Sequence, residues 1–433
     1  MALLAIMFLC IFVALAYNLP PIHDRFSWRI ANLQAQIRRA INPPERVVFV
    51  PQGQSNPNPV VTLAQATVQV LWTTSTPSQV PQATRIPPGA TDLPPASPTP
   101  TLSPTAIPAK VVLSGILHEY QQFNNCGPAN LAMALSYWGW QGDQRDTRLF
   151  LRPNKDVDDK NVDPSEMVAF VESQTELKAL YRVGGDLETL KRLIAAGFPV
   201  LIEKGHHPPD DWWMGHYLVV NGYDDERARF ITQDSLIMPD LPLPYEEMES
   251  RWWRDFNYAY LVIYPPERQA EVLAILGPQS DVTYNYQYAA QKARDEIPRL
   301  AGRDLFFAWY NLGSSLVGLQ DYPNAAQAYD EAFEIYATLS EAERPYRVLW
   351  YQVGPYPAYY HAGRYQDVID LANTTLVWVS APVLEETFYW RGLARQALGD
   401  QPGAIEDLTK AAQLNPNFLP PRHELQRLGV PLP

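Results

Sequence analysis

The sequence predicts a mixed helix-and-strand (α+β) domain followed by an all-α helical-repeat domain, both behind an N-terminal transmembrane helix and a Pro/Ser/Thr-rich linker. Three observations predict this. Between Lys110 and Pro266, helix-start signals alternate with short runs of strand-forming residues. From Glu267 onward the apolar spacing is helical and recurs in similar units. Ahead of both, Met1–Tyr17 carries no charge, and residues 73–108 are dense in Pro, Ser and Thr and lack aromatics. At 433 residues the chain exceeds one ordinary domain. A net charge of −13 disfavours nucleic acid as a partner. Its two cysteines, Cys10 and Cys126, build no disulfide framework, and Cys126 is the lone thiol outside the apolar leader.

In chain order, residues 1–22 are expected to be an uncleaved anchor. The apolar run suits a bilayer span of roughly 17–25 residues. It has neither a basic n-region nor a small-residue cleavage pattern. Residues 23–72 form a membrane-proximal segment. In it Phe26, Trp28, Ile30, Leu33, Ile37 and Ile41 recur at helical spacing between arginines, which suits a helix lying on anionic headgroups or one that is solvated. Stretches of alternation from Arg46 to Trp72 predict a small strand pair. Residues 73–108 cannot bury a core and read as an extended stalk holding a domain away from a surface. Arg25, Arg29, Arg38, Arg39 and Arg46 pull the following chain towards the cytoplasm by the positive-inside tendency. The stalk favours the outside, and the expectation is a single-pass protein of the cell membrane with extracytoplasmic soluble domains.

Residues 109–266 form the α+β domain. A helix is expected from about Cys126, with Pro128 in its first turn. Asp163-Pro164-Ser165-Glu166 has the N-cap, proline and N3 glutamate of a capping box. Asp186 caps LETLKRLIAA, Gly197 closes it, and Phe198–Glu203 reads as a buried strand. Strands follow at His216–Tyr223 and Arg229–Gln233. Residues 267–433 carry the repeats. Trp309, Leu312, Gly313, Ala325, Tyr329 and Ala332 fall at tetratricopeptide spacing, as do Phe388, Gly392, Ala404, Leu408, Ala411 and Pro416. Gly363, Tyr365, Val368 and Ala372 suggest a degenerate middle unit whose first helix, with Pro355 and Pro357, departs from the pattern. Three stacked pairs would leave a concave face for a protein partner.

The chemistry-bearing residues lie in the α+β domain. A cysteine at a helix N-terminus meets unpaired N–H groups and the positive end of the macrodipole, both of which favour a thiolate. Gln121, Gln122, Asn124 and Asn125 supply amides of the kind that stabilise an oxyanion. The bland alternative is a buried, inert cysteine. His216 and Asp234 are expected to be cross-strand partners on a hairpin with its turn at Asp225, where the carboxylate would orient the imidazole. Cys126, His216 and Asp234 together fit the nucleophile, base and orienter of acyl transfer. His206, His207, Asp210, Asp211 and His216 fit no common zinc spacing, and no metal or other cofactor is expected. Trp212 and Trp213 suit either a cleft wall or packing under a loop.

CGPANLAMALSYWG, followed by GHYLVVNGYDD and then QDS, resembles the papain-like peptidases related to bacteriocin-processing, double-glycine-leader peptidases, over about Gly115–Tyr264. The resemblance implies a papain-like fold, Cys126 as nucleophile, His216 as base and Asp234 as third member. It also implies an oxyanion glutamine six residues before the cysteine, where this chain has Tyr120. Gln121, one residue closer, is the assignment, ahead of Gln122. No transporter span and no phosphate-binding G-x-x-x-x-G-K-[ST] follows, so the leader-peptide substrate does not carry over. The expected function is a membrane-anchored cysteine peptidase acting on a peptide or protein, with repeats that recruit substrate or partner. The alternative is an inactive peptide-binding scaffold, and transfer of the acyl group to an amine would use the same residues.

Overall fold

The computed structural model describes residues 47–53, 107–154, 161–208, 212–378 and 383–433, with the isolated positions 33, 37 and 41. The expected anchor and nearly all of the linker lie outside the described residues. Among those described, no helix is long and apolar enough to cross a membrane. Leu33, Ile37 and Ile41 are helical and exposed. Residues 1–53 and 109–433 form one body, and 54–108 a second, of which only Ile107 and Pro108 are described.

Among the described residues, four α-helices of eight residues or more and seven strands make up the α+β part. Helix α1 (Cys126–Tyr137) is followed by α2 (Gln144–Leu151), α3 (Pro164–Gln174) and α4 (Leu187–Ala195). The capping box at Asp163 and Glu166 forms as its spacing predicts, and the Asp186 side chain accepts from Thr189 N–H. A second box, Asp143 with Asp146, starts α2, an element that periodicity alone missed. The strands are β1 (Lys110–Val112), β2 (Lys178–Arg182), β3 (Val200–His206), β4 (Met214–Asp224), β5 (Arg229–Gln233), β6 (Leu241–Pro244) and β7 (Tyr260–Tyr264). Their order is β2-β7-β3-β4-β5-β6, antiparallel throughout, with β1 on the far end of β4. Helices α1 and α3 bury Leu131, Met133, Ala134, Leu135, Met167 and Phe170 in one core with Leu201, Tyr217 and Val219 of the sheet.

The helical part continues through α5 (Gln269–Leu276) and α6 (Val282–Glu296) into three pairs. These are α7 (Gly302–Gly318) with α8 (Tyr322–Thr338), α9 (Pro355–His361) with α10 (Tyr365–Val377), and α11 (Glu385–Ala397) with α12 (Gln401–Leu414). Helix α13 (Leu419–Arg427) caps the array. The middle pair's first helix is short and has Pro355 at its start, which removes one N–H where none is needed.

The expected open face of the repeats is filled in its first pairs by this chain itself. One apolar core runs from Val183, Trp213, Phe256 and Ala259 of the α+β part into Phe306, Phe307 and Tyr310 of α7. The Asp255 carboxylate, fully buried, accepts from Trp213 Nε1 at 2.8 Å and Arg303 at 3.2 Å. Asn311 Nδ2 donates to Arg254 O at 2.7 Å, and Gln352 Nε2 to Asp255 O at 2.7 Å. The contact seats on two glycines paired across β3 and β4, Gly205 and Gly215. A Cβ on Gly205 would meet Asp255 Oδ2 at 2.0 Å, and one on Gly215 would meet Phe256 at 2.6 Å and Tyr351 at 2.8 Å. Close approach, not backbone conformation, demands glycine at both positions.

One further expectation is corrected. Residues 47–53 form no strand; they lie extended on the helical domain, so the expected strand pair is absent from its described part. Arg303→Met should destabilise the whole chain by about 3–5 kcal/mol, because it strips a buried carboxylate of its guanidinium. Equilibrium urea denaturation measures this, and a loss below about 1 kcal/mol would show that Asp255 is held by its other partners.

Candidate active site

Cys126 is the first residue of α1, where its own N–H has no carbonyl one turn earlier to bond. The approach is a tight turn with Asn124 at φ 49°, the left-handed conformation that Asn tolerates. Helix α2 holds that turn. Gln144 Oε1 accepts from Gln122 N–H and from Asn125 Nδ2, both at 2.8 Å, while its Nε2 donates to Glu119 Oε2 and Tyr120 O at 2.8 Å. Arg152 donates to the carbonyls of Phe123 and Asn124 at 3.2 and 2.7 Å. Burial pushes the Glu119 carboxyl up to about 7, against the opposing Gln144 bond.

His216 sits on β4 opposite Lys204 of β3. Its Nε2 lies 2.9 Å from Asp234 Oδ1, so these residues meet, but not as predicted. The turn is a 3-10 segment, Asp225–Arg227, closed by Ala228 at φ 46°, and β4 bulges between Val220 and Gly222. The register Val219↔Gln233 would, if continued, set Leu218 beside Asp234. The expected pairing is therefore off by two residues. A two-residue slip keeps both side chains on one sheet face, and a diagonal neighbour is still within reach. Leu236 and Ile237 N–H groups also donate to Asp234 Oδ1, at 2.8 and 3.1 Å.

With Nε2 engaged by Asp234, Nδ1 is the ring nitrogen left for the thiol, and Cys126 and His216 are coupled electrostatically. Burial alone would raise the Cys126 pKa. The His216 hydrogen bond and charge, with the backbone of Tyr217 and Gly127, outweigh it and hold the pKa below the usual thiol value. Burial would lower His216, but the Asp234 charge and hydrogen bond, and then Cys126, push it up to about 9. Burial likewise opposes the Asp234 charge, and His216 overcomes it, holding that carboxyl well below the usual range. The balance favours a thiolate–imidazolium pair. Glu203, fully buried nearby, is pushed well above the carboxylate range by burial.

Gln121 is tied to the same place. Its N–H donates to Ser235 O at 2.8 Å, and its Oε1 accepts from Ser235 Oγ at 2.8 Å, which leaves the amide NH2 as the donor end. Asn130, missed from the sequence, joins these elements. Its Nδ2 is shared among Cys126 O at 2.9 Å, Tyr217 O at 2.7 Å and Ser235 Oγ at 2.8 Å, with no exposed surface. Its place one turn after Cys126 on the same helix face was the available signal.

Of the His/Asp cluster, Asp210 and Asp211 lie outside the described residues. The His206 ring is 5.7 Å from that of His216, and burial with the His216 charge pushes it down to about 3. Among the described residues no three His, Cys, Asp or Glu side chains are arranged to hold a metal. Trp213 is core, stacked on Phe256 at 5.7 Å, and Trp212 packs edge-on against Tyr346.

Residues 116–259 match the Peptidase_C39 like family, and residues 308–338 match the tetratricopeptide repeat. The chain therefore carries a C39-peptidase-like domain followed by a tetratricopeptide repeat. A C39-like peptidase structure from Bacillus anthracis is similar at 20% identity over 36% of this chain and 96% of its own, with a TM-score of 0.30. Xylellain, a cysteine protease from Xylella fastidiosa, is similar at 16% identity over 37% of this chain and 87% of its own, with a TM-score of 0.27. No curated protein matches the chain.

In a Cys10→Ser chain, alkylation of Cys126 should inflect well below the free-thiol value of about 8.5, and His216→Ala should abolish that shift. An unshifted inflection would mark Cys126 as a structural thiol. Asn130→Ala should raise the inflection and cost about 1–3 kcal/mol of stability, as buried acceptors lose their donor. Alkylation kinetics and urea denaturation on the same preparation separate the two effects.

Proposed function

We propose that this chain is a papain-type cysteine peptidase that hydrolyses peptide bonds. Cys126 is the nucleophile, His216 the base and acid, Asp234 the orienter and Gln121 a donor to the oxyanion. The single supporting observation is a thiol at a helix N-terminus coupled to a His216 that is hydrogen-bonded to Asp234, with the pKa of the thiol lowered and that of the imidazole raised.

The thiolate of Cys126 attacks the scissile carbonyl carbon, and the carbonyl electrons move onto oxygen. The Cys126 N–H, unpaired at the start of α1, and the Gln121 amide NH2 stabilise that oxyanion. Imidazolium His216 gives its proton to the departing amine, and the C–N bond breaks to leave a thioester. Neutral His216 then takes a proton from water, whose oxygen displaces Cys126 and releases the acid. Asp234 holds the ring with Nε2 away from the thiol throughout. The substrate is a peptide or protein, and the helical domain supplies protein contacts. In this reading residues 1–22 anchor the chain in the cell membrane, and the apolar Met1–Tyr17 run and Pro/Ser/Thr-rich linker favour catalysis outside the cytoplasm.

Cys126→Ala should abolish cleavage of a quenched-fluorescent peptide library while circular dichroism stays unchanged; persisting cleavage would end this reading. Gln121→Ala should lower kcat by about 10²–10³ with little change in KM. Since His216 must stay protonated for the ion pair, activity should fall as pH rises through about 9. Asp234→Asn should move that alkaline limb to lower pH. A pH profile of kcat/KM from pH 5 to 10 reads both.

A further inference from the structure

Residues 47–53 lie against the helical domain as a bound peptide would. Phe49 is 3% exposed, its ring 5.0 Å edge-to-face from Phe333 of α8 and 6.2 Å from Tyr359 of α9. The Trp378 indole N–H, just past α10, donates to Val47 O at 2.7 Å. Asp367 of α10, 3% exposed, accepts from Gln52 N–H at 2.9 Å, and Asp370 accepts from Gln52 Nε2 at 3.2 Å. The carboxylate that takes Gln52 is itself fixed, because Arg364 bonds Asp367 Oδ2 at 2.7 Å and both oxygens of Asp330 at 2.6 and 3.0 Å. The site thus reads an extended chain at three points. It has a socket for an aromatic ring, a donor for the carbonyl two residues earlier, and an acceptor for the N–H three residues later.

The segment has the character of a ligand. It adds no strand or helix to the body, and the one side chain it buries fully is Phe49. Among the described residues its hydrogen bonds all run to side chains of the helical domain. We propose that the groove between α8 and α10 is a peptide-docking site whose resident occupant is this chain's own 47–53 segment, held exchangeably. An extended peptide of another protein with the same Phe-centred pattern binds there by displacing it. Recruitment through this face of the repeats is then gated by an internal competitor. The inference goes beyond the peptidase reading and does not rest on it.

The test uses a fluorescein-labelled peptide of residues 45–54 and full chains, with binding followed by fluorescence polarisation. A tethered copy competes at an effective concentration on the order of millimolar, so the wild-type chain should bind the peptide at least about tenfold more weakly than the Phe49→Ala chain. A peptide with Ala in place of Phe should lose about tenfold or more in affinity for the Phe49→Ala chain, as expected for one buried aromatic ring. Equal binding by both chains, or none by the variant, overturns the proposal. So does loss of the helical circular dichroism in Phe49→Ala, which would make Phe49 an integral core residue instead of a ligand.

Discussion

The Asn130 amide is the interaction on which the candidate site depends. Cys126, His216 and Asp234 come from a helix start, a central strand and a loop after an edge-side strand, and no local rule brings these together. Asn130 Nδ2 does so by touching the carbonyl of Cys126, the carbonyl next to His216 and the hydroxyl next to Asp234. Ser235 passes the tie on to Gln121. Each such bond contributes only about 0.5–1.5 kcal/mol net, but an unpaired buried group costs more, so the network is held by the penalty of breaking it.

Electrostatics at the site run against burial, and specific partners win. A buried thiol prefers to be neutral, and so does a buried imidazole. Here each is the other's counter-charge, and Asp234 adds a fixed negative charge on the far side of the ring. The surrounding acids do not oppose this arrangement, since burial moves Glu203 and Glu119 towards their neutral forms.

The helical domain is part of the same body as the candidate site. Gly205 and Gly215 stand one residue from Lys204 and His216, and on them rest Asp255, Phe256 and Tyr351. Arg303 of the first repeat pairs with Asp255, and apolar packing continues from Trp213 into α7. A repeat array so used is a wall of the α+β domain. Residues 47–53 are seated on the second helices of the first two pairs.

The sequence by itself determined the local features. The capping residues Asp163 and Asp186, the glycine after α4, the start of α1 at Cys126 and the paired helices of the repeats all arise from interactions within a turn or two, which spacing encodes. It also marked Cys126, His216 and Asp234, which the structure brings together. Tertiary structure alone decided the rest. A bulge at Asn221 and a 3-10 turn reset the hairpin, and His216 reaches Asp234 diagonally because a two-residue slip preserves the face. Asn130, Gln144 and Arg152 look like ordinary helix residues until partners distant in sequence arrive. The same holds for Phe49, one apolar residue in a stretch that reads as a strand, whose socket is built by residues more than 280 positions later. Such contacts depend on how surfaces fit after folding, and no periodicity in the chain records that fit.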